Sequence, residues 1–167
     1  MKWITRRNLH VDRTACSWLI RRFIDPQAEF VFVPSSTDPA TLDGHTFDMR
    51  GGEYSHVAEQ CTFEVMLQRH ELQSDPALVE MGRIIREADV APRRSSRVEA
   101  GGLNALMRGF QASTPDDDEK LRLTAPVYDA LYAYCGAKVS EQRHPHGTPR
   151  PTLKYQRLVA SHLEADE

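Results

Sequence analysis

The chain opens with a short apolar run, Trp3-Ile4-Thr5, that predicts a strand. Asp12 then precedes RTACSWLIRRFI, in which Cys16, Leu19, Ile20 and Phe23 recur at i, i+3, i+4 and i+7, the spacing of one helix face. Aspartate is a good N-cap, and Asp25-Pro26 stops the pattern, so a helix is predicted over about 13–24. Glu29–Val33, EFVFV, is apolar on both faces and predicts a buried strand. Asp43-Gly44 is a hairpin-type turn, and His45–Met49 is a third strand candidate with Phe47 and Met49 on one face.

Beyond Gly51-Gly52 the period becomes helical. Phe63, Met66, Leu67 and His70 share one face. Asp75-Pro76 opens a helix in which Leu78, Met81, Ile85 and Ala88 form the apolar stripe, with proline at the first turn. Leu103, Leu106, Met107 and Phe110 define a fourth helix. Pro115 and the acidic run Asp116–Glu119 start a fifth, where the helix dipole favours negative charge. Pro126 lacks the N–H that would bond the carbonyl of residue 122, so a break is expected there, with Val127–Ala137 as a separate helix. The result is a single, mostly helical α+β domain over 1–140 with a small N-terminal sheet, followed by a Pro-rich connector and tail over 141–167.

Composition changes this picture little. The chain has 167 residues, 40% hydrophobic and 27% charged, with net charge −3, which argues against nonspecific nucleic-acid binding. The arginines nevertheless cluster, at Arg6, Arg7, Arg13, Arg21 and Arg22 and again at Arg93, Arg94 and Arg97, and such clusters can hold an anion. Three cysteines without CxxC spacing make a disulfide framework or a four-cysteine zinc site unlikely. Neither a signal peptide nor an apolar run of membrane-spanning length is visible, so a reduced, cytoplasmic protein is expected.

Chemistry concentrates in GGEYSHVAEQCTFE, residues 51–64. Glu53, His56 and Glu64 are a carboxylate and imidazole set that suits Fe(II), Mn(II) or Zn(II). The alternative is that Glu64 caps a helix start and Glu53 is solvated. Asp89 is a further ligand candidate, or else the partner of Arg86 in an i, i+3 surface pair. Arg13 and Arg22 are anion-binding candidates, with ion pairing to Asp12, Asp25 or Asp48 as the alternative. Cys16 falls on the apolar face of its helix as a buried thiol, Cys61 borders a helix start, and His70 is a packed histidine. GxSxG, GxGxxG, Walker A and HExxH motifs are absent, which leaves hydrolase, dinucleotide and NTPase readings without support.

WITR at 3–6, DRTACSWLIRRFID at 12–25, FDM at 47–49, GGEYSH at 51–56, CTFE at 61–64, READ at 86–89, EAGGL at 99–103 and YDALYAYC at 128–135 resemble the ChrB C-terminal domain, a chromate-resistance family. The resemblance runs from about residue 3 to 136 and is to the stand-alone form of that domain. It implies a role in chromate resistance and no settled reaction. Many members carry His where this chain has Arg86, and His10 is a candidate substitute ligand just before the Asp12 helix.

The expectation is a cytoplasmic metal-binding protein that limits the toxicity of chromate or of the reactive oxygen it generates, with a metal-dependent redox enzyme as one form of it. Its metal is Fe or Mn, with Zn as a third option, held among Glu53, His56, Glu64 and Asp89. The alternative is a chromate-binding sensor or interaction module without turnover. A dimerising structural domain is the third reading, and a homodimer suits any of them. No membrane and no direct nucleic-acid partner are expected.

Overall fold

The computed structural model describes residues 1–90 and 96–143. Elements follow in the order β1 (Lys2–Arg6), α1 (Val11–Leu19), β2 (Glu29–Val33), β3 (His45–Thr46), α2 (Thr62–Arg69), α3 (Pro76–Val90), α4 (Val98–Ser113) and α5 (Asp117–Arg143). The domain is a mostly helical α+β fold, as its patterning predicts.

The sheet runs β2-β1-β3 and is wholly parallel. Trp3, Ile4 and Thr5 of the central strand are buried in succession, whereas β2 at the sheet edge is half-exposed rather than buried as its sequence predicts. Parallel pairing corrects the hairpin expected at Asp43-Gly44, since β2 and β3 lie on opposite sides of β1. β3 is shorter than the expected His45–Met49: Phe47 N–H still donates to Ile4 O (2.9 Å), but Phe47 forms an isolated bridge to Tyr54.

The helix predicted over 13–24 starts earlier, at Val11, and changes character midway. After Leu19 it widens into a π-helical turn, Ile20–Ile24, that ends at Asp25. Asp25 accepts hydrogen bonds from the N-terminal ammonium (2.6 Å) and the Trp3 indole (3.1 Å), tying the crossover to β1.

α5 corrects the expected break at Pro126, because the helix continues from Asp117 to Arg143. Leu121, Thr124, Tyr128, Tyr132 and Cys135 are buried on both sides of the proline, and this packing holds the axis through it. Pro126 and Arg122 are exposed, so water can serve the carbonyl that loses its donor. Tyr128 donates to Val11 O (2.9 Å) and also pairs with the Thr14 hydroxyl (2.7 Å), which anchors α5 to α1.

The core joins Trp3, Cys16, Trp18 and Leu19 to Phe63, Met66, Leu78, Met81, Ile85 and Met107. Cys16, Cys61 and Cys135 are all free and buried. Residues 141–143 of the expected connector form the last turn of α5. The rest of it, with His144 and His146, lies outside the described residues, as do Arg93 and Arg94. No helix among the described residues is long and apolar enough to cross a membrane.

Candidate metal centre

α1 presents Asp12 one turn before Cys16, on the stripe that faces the core, and the carboxylate is 1% exposed. A buried carboxylate requires partners. Asp12 finds them at the start of α2, where the Thr62 and Phe63 N–H groups donate to Oδ2 (2.8 Å) and Oδ1 (3.1 Å). The side chain from one helix therefore satisfies orphan donors of another.

The segment between β3 and α2 brings in two further groups. Asp48, in the left-handed region at φ +46°, accepts from Arg13 Nε (2.8 Å) and from the Thr62 hydroxyl (3.3 Å). His56 Nε2 then lies 3.1 Å from Asp12 Oδ2 and 3.3 Å from Asp48 Oδ1. α3 supplies the last member, Asp89. Asp12, His56 and Asp89 each offer one ligand atom within 4.8 Å of the others. His10, just before α1, stands outside this group with Nδ1 3.8 Å from Asp89 Oδ1.

Charge in the cluster is shared unevenly. Hydrogen bonds to Asp12 and Asp48 push His56 up to about 10, so its imidazole is cationic near neutrality. Burial pushes Asp12 up, with the neighbouring carboxylates adding to it, against the His56 contact. Burial would also raise Asp48, but the His56 and Arg13 contacts outweigh it and hold that carboxyl below its usual range. Three carboxylates thus surround one imidazolium, and a divalent cation can take the place of its proton.

Of the four ligand candidates from the sequence, His56 and Asp89 come together. Glu53 points elsewhere and bonds His45 Nδ1 at 2.8 Å. Glu64 closes a capping box, accepting from Cys61 N–H (3.2 Å), and lies 3.6 Å from Arg86. Asp12 completes the group instead. Its signal was present in the sequence: Asp12 lies at i−4 and i−7 from Cys16 and Leu19, which makes it a carboxylate on an apolar stripe.

The two anion-binding candidates are separated. Arg13 borders the cluster through Asp48. Arg22 forms a bidentate pair with Asp129 of α5 (3.1 and 2.7 Å), and Asp129 also accepts from the Trp18 indole (2.8 Å). Arg97, from the second arginine cluster, pairs with Glu80 (2.6 Å) and Glu87 (3.3 Å).

A polar cleft of about 380 Å³ opens beside His56 and Asp89, bounded by Arg6, Arg13, Arg50 and Ser55. Arg6 donates to Asp48 O at 3.0 Å, while its buried Nε has no hydrogen-bond partner among the described residues.

No solved structure matches the chain at a significant level. It is 37% identical over 133 residues to Protein ChrB of Cupriavidus metallidurans, an alignment covering 80% of this chain and 40% of that protein. The family description "ChrB, C-terminal domain" matches residues 3–135. The chain belongs to this domain family of the ChrB chromate-resistance proteins.

Proposed function

We propose that this protein is a cytoplasmic metal-binding member of its family, holding a divalent ion, Fe or Mn in preference to Zn, on Asp12, His56 and Asp89, and that it acts against chromate or the reactive oxygen chromate generates. The carrying observation is the convergence of two carboxylates and one imidazole from three separate parts of the fold. The donor set fits: oxygen with a single nitrogen suits Mn and Fe(II), and three protein ligands leave positions open. A carboxylate has about four lone-pair sites, so Asp12 can keep its two N–H bonds and still offer an oxygen. Those bonds would orient it.

When bound, the ion would supply Lewis-acid or one-electron redox chemistry at its open positions. The chain's own residues would do the rest. Asp48 and Asp12 receive and hold the His56 proton when the ion is absent, and Arg13 keeps Asp48 ionised. The cleft arginines attract an oxyanion to the same mouth.

Metal analysis and Mn²⁺ calorimetry on protein purified without chelators test this. Near-stoichiometric metal is expected, with His56→Ala and Asp89→Asn each weakening Mn²⁺ by 10-fold or more and Glu53→Gln leaving it unchanged. Wild-type protein that binds neither Mn²⁺, Fe²⁺ nor Zn²⁺ above background would end this reading.

The second reading, a chromate sensor without turnover, is favoured by the arginine-lined cleft. It requires metal-free protein to bind chromate, with Arg13→Ala weakening that binding.

A further inference from the structure

The cleft beside the cluster is larger than its inorganic candidates need. A five-atom oxyanion fills the room of two or three waters, roughly 60–90 Å³ at about 30 Å³ each. The cleft has about 380 Å³, within the range of small-molecule sites.

Its charges are also unbalanced at one end. Arg50 is exposed on the loop after Asp48, and among the described residues it has neither an ion pair nor a side-chain hydrogen bond. Arg6 reaches from β1 with one bond to a main-chain carbonyl and, among the described residues, neither a carboxylate partner nor an acceptor for its buried Nε. An unsatisfied buried donor is costly, and a planar guanidinium satisfies its fork best with a two-oxygen anion. Arg13 differs, because Asp48 already neutralises it. The same cleft also carries acidic groups, Asp48 and Asp89, beside His56.

We propose that the cleft binds a small organic acid with two anionic groups, one carboxylate or phosphate gripped by Arg6 and Arg50 and the second group directed to the Asp12–His56–Asp89 centre. The arginine grip is independent of the metal reading. The reach toward the centre rests on it, since a bound cation would offset the carboxylates of Asp12, Asp48 and Asp89. Ser55, half-buried on the cleft wall, offers a neutral hydroxyl.

Calorimetry on the full chain tests this, with malate as the dicarboxylate, 3-phosphoglycerate as the phosphorylated acid, and sulfate, chromate and acetate as small-anion controls, in metal-free and Mn²⁺-loaded protein. Expected is saturable binding of malate or 3-phosphoglycerate at least 10-fold tighter than any control. The preferred one of the two identifies the headgroup. Arg50→Ala, at an exposed position that leaves the core untouched, should weaken it 10-fold or more, and Arg6→Lys should weaken it less. Mn²⁺ should tighten it several-fold in wild type and not in Asp89→Asn. Binding of malate and 3-phosphoglycerate no tighter than that of sulfate or chromate would overturn the proposal, as would binding unchanged by Arg50→Ala. Failure of Mn²⁺ to bind, with Arg50-dependent binding intact, would instead remove the metal reading and leave the arginine grip standing.

Discussion

Asp12 of α1 accepts the Thr62 N–H of α2 at 2.8 Å, and the same oxygen lies 3.1 Å from His56 Nε2. One carboxylate thus joins two helices and the candidate centre. Asp12→Ala should remove acceptors from Thr62 and Phe63 at once. Losing a buried acceptor costs about 1–3 kcal/mol, so urea unfolding should show a drop of at least that size. Asp12→Asn should recover part of the stability while still failing to bind Mn²⁺, which separates the structural role from the ligand role.

Arg22 was a candidate for anion binding, but its guanidinium forks onto Asp129 and stands away from the cleft. Arg22→Ala should leave chromate and malate affinity unchanged. It should destabilise the contact between the π-helical turn and α5 by about 1–3 kcal/mol, as loss of one partner from a largely buried charge pair does, read as a shifted urea midpoint. An anion-affinity loss matching that of Arg50→Ala would contradict the separation.

Pro126 is exposed inside a continuous helix. An interior proline costs a helix about 3 kcal/mol relative to alanine where nothing compensates. Pro126→Ala should therefore raise stability, by about 1–3 kcal/mol, and shift the melting temperature upward. A neutral or negative change would mean that α5 needs the distortion.

Glu99 gives the fold an acid limit. Hydrogen bonds from Tyr134 (2.6 Å) and Lys138 (2.9 Å) hold it down at about 2, below the ordinary 4.5. A depressed carboxyl contributes stability that is complete above its unfolded value and lost as pH falls through its folded one. Stability should decline between about pH 4.5 and 2. Glu99→Gln should flatten the part of that decline that wild type shows, measured by thermal melts across the window.

The helical faces were legible because burial repeats at fixed intervals. Leu78, Met81, Ile85 and Ala88 are all buried on α3, as their spacing requires. Pro126 was misread for a physical reason. A local rule gives the cost of a missing N–H, but the packing of Tyr128 and Tyr132 that outweighs it comes from α1 and from Asp75, more than 50 residues away. The candidate centre divides in the same way. His56 and Asp89 were visible as residue types suited to a metal, and Glu53 and Glu64 were equally visible and equally suited.

Residue chemistry and spacing by themselves determined the face of α3, the position but not the burial of the strand EFVFV, the arginine clusters and the family. The tertiary structure alone decided which carboxylates face one another. Direction is the reason. Glu53 and His56 are three residues apart in a loop with no fixed period, so spacing does not set where either points, and the fold turns one to His45 and the other to Asp12. Asp12 and Asp89, 77 positions apart, meet because α1 and α3 pack on one core, a relation that only folding creates.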